Sequence, residues 1–437
     1  MAAAKAPHNP LLVLSYGTII GLWVGCQYVL IPYVVNLMLL VTAILYAGCH
    51  WSLALREEQA VARGETPDGG EKSDGGDDDD HVPSEVLRKE DAMLFPIIGS
   101  CSLFGLYLAF KFFDKETVNL VISFYFCAMG SFAITGVLGP VLEGAGPAAL
   151  RKRIGWHTSV NHPLPESVGG KSPWKIGIDC SHADLLAFAG GVAFCVQYFY
   201  TKKWFLNNVL GICFCLKGIE QFSLGSYKIG AILLVGLFFY DIVSISCRSL
   251  LVSRSRRISP GKPRRTIGKN ARCRKFWVFG TEVMVTVAKS LDGPIKILFP
   301  RTLEPDPETG KLEMSLLGLG DIVIPGFFLG LLLRFDAHIA GVPYFPTDVN
   351  VGFPKPYFHS TLAGYVVGLA TTLYVMIVFE AAQPALLYLV PACLGSSLMC
   401  AVSRGELTEL FQYSEEDEEE EEKREGDEKE AKEKKDD

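Results

Sequence analysis

Long apolar runs recur along this chain of 437 residues, and they constrain its fold more than any other feature. Each run is about 20 residues long, which is enough for a helix to cross about 30 Å of hydrocarbon. Hydrophobic residues make up 49% of the chain, which is too apolar for an ordinary soluble enzyme. The sequence therefore predicts an all-α, polytopic membrane protein with about nine transmembrane helices.

Polar and charged segments separate the apolar runs and divide the chain into regions. The first apolar region would form a helix about 67 Å long, so it crosses the bilayer either once or twice. We predict a tail at 1–10, a first transmembrane region at 11–55, an acidic polar loop at 56–93, transmembrane spans at 94–243, a basic insertion at 244–275, a second transmembrane region at 276–402 and an acidic, disordered tail at 403–437.

Two aspartates lie deep inside apolar segments that we predict as spans. Asp241 belongs to the span at 227–246, and Asp321 belongs to the span at 315–333. A carboxylate at membrane depth costs about 2.5–3.5 kcal/mol on insertion scales, and such groups face a bundle interior or a watery cavity. A polar contact between helices and a proton or ion pathway are the alternative roles of each aspartate alone.

Two carboxyl groups that share one site can perform aspartic-protease chemistry. Because they do not both ionise easily, they hold one proton between them. The charged carboxylate takes a proton from water, and the neutral one donates a proton to the scissile carbonyl. Asp241 and Asp321 each fit either role. This chemistry requires no metal and no other cofactor, and the sequence contains neither a His-Glu-x-x-His nor a Gly-x-Ser-x-Gly motif.

The residues that flank the two aspartates suit such a site. Gly318 and Gly320 have no side chains, so backbone and substrate can approach closely there. Pro325 predicts a distortion of the same span, which is tolerated where backbone lines a protected cavity. Tyr240 supplies a phenol next to Asp241. A proline at the first turn, Pro384, opens the last span, which is ordinary structural chemistry by itself.

Three short motifs in this chain resemble those of a known family. Tyr240-Asp241, Gly318-Leu319-Gly320-Asp321 and Pro384-Ala385-Leu386 are similar to the YD, GxGD and PAL motifs of intramembrane aspartyl proteases. That group contains the presenilins and the signal peptide peptidases. Longer stretches at 95–98, 283–290 and 383–392 resemble the signal peptide peptidases in particular, and the resemblance runs from about residue 91 to residue 411.

The resemblance implies a presenilin-like fold of nine spans with a cytosolic C-terminus, in the endoplasmic reticulum membrane. It implies cleavage of type II-oriented helices in the lipid bilayer, mainly signal peptides that have already been released. It also implies homo-oligomers, membrane quality-control complexes and no nucleic acid as partners. By this resemblance, Asp241 and Asp321 are the catalytic pair. The resemblance also implies an element that shapes the site and contacts the substrate, formed by Gln383, Pro384, Ala385 and Leu386.

The C-terminal end of the chain is consistent with that location. Lys434-Lys435 resembles the dilysine signal that returns membrane proteins to the endoplasmic reticulum, which acts only on a cytosolic tail. The acidic run at 415–422 repels itself, and we predict that it is disordered.

A basic segment separates this chain from the family pattern. The family continues from the YD motif straight into a sequence like that at 276–281, whereas here 32 residues with eleven Lys/Arg and no acid intervene at 244–275. Such a segment does not lie in hydrocarbon, and it could keep Asp241 from meeting Asp321. Our hypothesis is a retained intron or a gene-model error. The alternatives are a tolerated loop and an inactive variant, which would be a non-catalytic pseudoprotease or a carboxylate-lined channel.

Overall fold

The computed structural model describes most of the apolar part of the chain. The described residues are 10–28, 32–62, 85–87, 89–147, 150, 152–160, 174–255, 293–300, 314–341, 353–379 and 385–415. The basic residues from 256 onward, the apolar piece at 276–288, and residues Gln383 and Pro384 lie outside them.

Helices dominate the described residues. They are α1 (Pro10–Gly25), α2 (Tyr33–Ala62), α3 (Lys89–Phe112), α4 (Lys115–Ala145), α5 (His182–Thr201), α6 (Trp204–Gln221), α7 (Tyr227–Ser255), α8 (Gly320–Ile339), α9 (Pro356–Phe379), α10 (Leu386–Arg404) and α11 (Leu407–Gln412). Short strands form three two-stranded pairs: β1 (Glu85–Leu87) with β4 (Phe222–Leu224), β2 (Arg153–Val160) with β3 (Trp174–Ser181), and β5 (Lys296–Pro300) with β6 (Met314–Gly318).

Six of the described helices are long and apolar enough to cross a membrane. The segments are Tyr33–Ala54, Lys115–Glu143, His182–Thr201, Gly320–Ile339, Pro356–Val378 and Leu386–Arg404. The prediction of an all-α polytopic membrane protein is confirmed. The predicted count of nine spans stays a prediction, because the six segments come from the described residues only. Helices α3, α6 and α7 lie where we predict further spans.

The first apolar region forms two helices rather than one. Helix α1 packs antiparallel against α2, because Cys26 contacts Asn36 at the turn and Tyr16 contacts Trp51 at the other end. Pro32 immediately precedes α2, where a proline is compatible with a helix start. With 16 residues, α1 is about 24 Å long, which is shorter than the hydrocarbon thickness.

Helix α8 forms the centre of the bundle. Its residues from Ile322 to Asp336 are almost all buried, and it packs against α2 and α6. The close approach requires glycine at position 326, because a Cβ there would lie 2.7 Å from Ile219 Cδ1 and 3.2 Å from Leu45 Cδ2. The helix that carries Asp321 is therefore held by contacts on several sides.

A β-hairpin leads into α8 and changes our prediction for this segment. We predicted a span at 315–333, whereas residues Met314–Gly318 form β6 and the helix begins at Gly320. Strand β6 pairs antiparallel with β5, with Leu316 opposite Leu298. The helical prediction failed there because the apolar run continues through the strand, and hydropathy does not distinguish a short buried strand from the end of a helix.

Two asparagines on α6 form hydrogen bonds with strand β5 of this hairpin. Asn208 donates its Nδ2–H to the carbonyl of Leu298 (2.7 Å) and accepts from the N–H of the same residue (2.8 Å). Asn207 donates to the carbonyl of Lys296 (2.7 Å). Both asparagines are buried. Their amides therefore satisfy backbone groups of β5 that face α6 rather than β6.

The chain beyond α10 is folded further than we predicted. We placed a disordered tail at 403–437, but residues up to Glu415 are structured and include α11. The carboxylate of Glu415 lies 2.6 Å from Nε of Arg334 on α8, and both side chains are buried. Arg334 also donates to Ser52 and Ser223, at 2.8 and 3.0 Å. The predicted boundary of the disordered tail is wrong because Glu415 pairs with a buried arginine. The sequence does not show this pairing, since the acidic residues that follow Glu415 make it look like part of the acidic run.

Replacing Glu415 should destabilise the folded protein strongly. In Glu415→Ala, the buried guanidinium of Arg334 loses its counter-ion, and breaking such a pair costs about 3–5 kcal/mol. The midpoint of thermal unfolding in detergent should fall clearly. Glu409→Ala is the matched control, because Glu409 is an exposed glutamate on α11. Equal midpoints for the two variants would contradict this assignment.

Removing the Asn208 amide should loosen the hairpin. In Asn208→Ala, the Leu298 N–H and carbonyl lose their partners, and each buried group left unsatisfied costs about 1–3 kcal/mol. We expect faster amide hydrogen exchange in 293–300, measured by mass spectrometry in detergent. The exposed amide of Gln197 on α5 provides a control, Gln197→Ala. Unchanged exchange in Asn208→Ala would show that the pairing with β6 alone holds β5.

Candidate active site

The two apolar-segment aspartates lie on helices that pack against each other. Asp241 is in the middle of α7, and Asp321 is the second residue of α8. Their carboxyl groups are close enough for their charges to interact. Each keeps part of its surface accessible. The structure therefore brings the two residues into one site, on helices that pack against each other.

The basic insertion does not separate the pair. With the insertion present, we expect Asp241 to lie near one end of its span. Helix α7 instead continues into the first part of the insertion and ends at Ser255. Only Arg248 and Arg254 are charged within the inserted part of α7. The helices that carry the two aspartates remain packed against each other with the insertion present. The residues from 256 to 275 lie outside the described part of the chain.

Gly318 lies directly beside the carboxylate of Asp321. Gly318 is the last residue of β6, and a Cβ built there would lie 3.6 Å from Oδ2 of Asp321. A side chain at this position would cover that side of the carboxylate. A Cβ at Gly320 would instead meet Cδ1 of Ile324 at 3.8 Å, within α8. Gly318 therefore leaves a path to Asp321 that any larger residue narrows.

Tyr240 precedes Asp241 on α7 and points outward. Its side chain is 38% exposed, whereas Asp241 is half-buried. Consecutive residues of a helix are about 100° apart around its axis, so the two side chains leave α7 in different directions. Among the described residues, no hydrogen bond joins the Tyr240 phenol to either aspartate. The Tyr240 phenol is thus not hydrogen-bonded to the pair in this structure.

The described half of the predicted Gln-Pro-Ala-Leu element lies beside the aspartate helices. Ala385 and Leu386 are buried at the start of α10, which packs against both α7 and α8. The Ala385 carbonyl accepts hydrogen bonds from the N–H groups of Tyr388 and Leu389, at 3.1 Å each. Gln383 and Pro384 precede this point and lie outside the described residues. The element therefore lies at the start of α10, the helix that packs against the two helices that carry Asp241 and Asp321.

A tyrosine that we did not single out from the sequence contacts the backbone of Asp321. Tyr365 on α9 is fully buried and donates its hydroxyl hydrogen to the carbonyl oxygen of Asp321 (3.1 Å). A tyrosine within an apolar span carries no signal by itself, since aromatic residues are common there. The sequence feature that could have revealed this contact is Pro325. Proline has no N–H, so the carbonyl of Asp321 lacks its regular partner in the helix.

A second polar cluster lies near the other end of α8. Lys355 Nζ lies 2.9 Å from Nε2 of His50, and Asp336 accepts the N–H groups of Tyr357 and Phe358 at the start of α9. Burial lowers the pKa of Lys355, and the Asp336 carboxylate opposes this effect. Because Asp336 is about 22 Å along α8 from Asp321, this cluster fastens α9 and is not part of the aspartate site.

The described residues contain no group of three or more histidine, cysteine, aspartate or glutamate side chains arranged to hold a metal ion. The site consists of two carboxyl groups on adjoining helices, with Gly318 beside one of them. Such a pair can exchange protons with water and with a carbonyl group.

Comparison with known proteins places the chain among membrane proteases. The family model for signal peptide peptidases matches residues 79–257 and 275–417. The signal peptide peptidase of Homo sapiens is 37% identical over 332 residues, which cover 76% of this chain and 74% of that protein. A probable intramembrane protease of Schizosaccharomyces pombe is 32% identical over 76% of this chain and 85% of its own length. Intramembrane protease 2 of Caenorhabditis elegans is 38% identical over 54% of this chain and 44% of its own length.

The family match is interrupted inside the basic segment. The gap at 258–274 is narrower than the insertion predicted at 244–275, and the match continues through the whole of α7. Asp241, Asp321 and the segment from Gln383 to Leu386 all fall within matched residues. Because the matched residues cover most of its length, the chain belongs to the signal peptide peptidase family of multi-pass intramembrane proteases.

Proposed function

We propose that this protein is an aspartic intramembrane endopeptidase in which Asp241 and Asp321 are the catalytic pair. The observation that carries the proposal is that adjoining helices bring Asp241 and Asp321 close enough for the charge of one to act on the other. Membership of a protease family supports it further.

The chemistry follows from one proton shared between two carboxyl groups. The charged carboxylate removes a proton from a water molecule while the water oxygen attacks the carbonyl carbon of the scissile peptide bond. The neutral carboxyl group donates its proton to the carbonyl oxygen, which gives a neutral tetrahedral diol. When the diol collapses, the protonated carboxyl group gives its proton to the leaving nitrogen, the charged carboxylate takes a proton from one diol hydroxyl, and the C–N bond breaks. The pair is then singly protonated again. Either aspartate fits either role.

The proposed substrates are type II-oriented transmembrane helices, mainly signal peptides that have been released from their precursors. A helical peptide bond is protected from water, so the substrate must unwind locally before attack. The proposed role of Gln383, Pro384, Ala385 and Leu386 is to shape the site and contact that unwound segment. Burial of Ala385 and Leu386 beside α7 and α8 supports this role.

The proposal includes residence in the endoplasmic reticulum membrane with a cytosolic C-terminus, on the basis of the family resemblance. Homo-oligomers and membrane quality-control complexes are part of the proposal on the same basis. The presence of lipid around the spans follows from the multi-pass architecture.

Removing either carboxylate should abolish cleavage. We expect Asp241→Asn and Asp321→Asn each to lower the cleavage rate of a model signal peptide in detergent by at least about 10²–10⁴-fold, because proton transfer requires both groups. Product fragments can be counted by mass spectrometry. Asp114→Asn serves as a control, because Asp114 is exposed and precedes α4 without capping it through its side chain.

Binding of a hydroxyl-containing transition-state mimic provides an independent measurement. Such a compound should bind the unmodified protein much more tightly than either Asp→Asn variant, because it is complementary to the assembled pair. Cleavage that persists in both variants would refute the catalytic assignment. A folded protein that neither cleaves nor binds the mimic would favour the pseudoprotease or channel alternative.

The full chain should be active with its basic segment present. Because α7 carries Asp241 to Asp321 despite the insertion, we expect cleavage both by the full chain and by a form that lacks 244–275. Both activities should disappear with Asp321→Ala. Activity in the shortened form alone would show that the segment is inactivating, and sequencing of the transcript across 243–276 would then tell a retained intron from an inactive variant.

A further inference from the structure

A proline removes the regular hydrogen bond of the carbonyl group of Asp321. In an α-helix this carbonyl accepts from the N–H four residues later, which here would belong to Pro325. Proline has no N–H, and its ring presses against the carbonyl of the residue four positions earlier. Pro325 lies inside α8 beyond the first turn, so its absent N–H is not one of the free groups at the helix start.

A free carbonyl at this place would be costly. The helix is a candidate membrane span, and no bulk water is present in hydrocarbon to satisfy a backbone group. Tyr365 supplies the missing donor, because its hydroxyl lies 3.1 Å from the Asp321 carbonyl oxygen. The side chain of Tyr365 has no exposed surface. The donor is therefore held within the protein interior.

Helix α9 holds Tyr365 rigidly in place. At its start, Asp336 of α8 accepts the N–H groups of Tyr357 (3.1 Å) and Phe358 (2.8 Å). Farther along, α9 packs closely on α10, because a Cβ at Gly368 would lie 3.0 Å from Cβ of Ala392 and 3.1 Å from the carbonyl of Tyr388. Tyr365 lies between these two contacts.

We propose that Tyr365 is a positioning residue for Asp321, through the carbonyl group that Pro325 leaves without its helical partner. The hydroxyl of Tyr365 holds the first turn of α8 in one conformation and so fixes the direction of the Asp321 carboxylate toward Asp241. This inference rests on the proposed catalytic role of Asp321. It assigns to α9 a part in the reaction, although α9 carries none of the three family motifs.

The loss of the Tyr365 hydroxyl should slow the reaction rather than weaken substrate binding. A small misplacement of a catalytic group lowers the rate of the chemical step, and substrate contacts elsewhere are unchanged. We expect Tyr365→Phe to lower kcat by about tenfold, with KM changed by less than about twofold. Tyr374→Phe is the matched control, since Tyr374 lies on the same helix with its side chain exposed.

A double-mutant cycle with Pro325 tests the physical cause. Pro325→Ala introduces a backbone N–H that can satisfy the Asp321 carbonyl within α8. The effect of Tyr365→Phe on kcat should then shrink from about tenfold to less than about threefold, when measured against Pro325→Ala as the reference. A tyrosine that merely fills space in the core would give the same fold-change in both backgrounds, and that result would overturn the inference.

The same series separates this inference from the proposed function. Cleavage that persists in Asp321→Asn would refute the catalytic role of Asp321. Loss of cleavage in Asp321→Asn together with an unchanged kcat in Tyr365→Phe would refute the positioning role alone. Thermal midpoints of all variants in detergent show whether each is folded, and the cycle compares only folded pairs. A rise in KM without a change in kcat would also contradict the proposal.

Discussion

The requirement that every backbone polar group in a membrane domain be satisfied by the protein shapes the surroundings of Asp321. Regular helix meets this requirement within itself, but a strand, a turn and a proline occur together just before and after this residue. Side chains from other helices therefore supply the missing partners. Asn208 on α6 bonds both backbone groups of Leu298, and Tyr365 on α9 bonds the carbonyl of Asp321. An irregular backbone is thereby kept in one conformation next to the aspartate pair.

The same reasoning explains which parts of the site could be predicted from the sequence. The aspartates stand out because a charge within an apolar run is costly, so position alone marks them. Asn208 and Tyr365 carry no such mark, since buried amides and phenols are ordinary in helix bundles. Their roles depend on which backbone groups lack partners. That in turn depends on β6 ending at Gly318 and on the contact of α9 with α8.

The fold was predictable to a similar depth. Apolar runs identified the helices, and the number of times that the region at 11–55 crosses the bilayer stays a prediction. The start of α8 was misplaced because hydropathy does not record hydrogen-bond pattern. The folded end near Glu415 was missed because its partner, Arg334, lies far away in sequence. Long-range pairs of this kind are not contained in any local pattern.

The basic segment shows how an average can conceal local structure. Its eleven basic residues argue against a membrane location, but only two of them precede residue 256. Long arginine side chains can extend toward water while their stems cover apolar surface, so a helix tolerates a few of them near its end. Helix α7 and the family match both continue through this first part. The interruption of the family match, at 258–274, thus begins after α7 ends.

The unequal burial of the two aspartate helices suggests the direction from which a substrate reaches the pair. Helix α8 is enclosed by its neighbours, and its far end is fastened by the Arg334–Glu415 pair. Helix α7, in contrast, presents Phe239 with 59% of its side chain exposed, close to Asp241. Under the proposed function, we expect a transmembrane substrate to meet the pair from the side of α7, because α8 has little free surface. The fixed helix then holds Asp321 in place, while the open helix provides the apolar surface along which a substrate helix can approach.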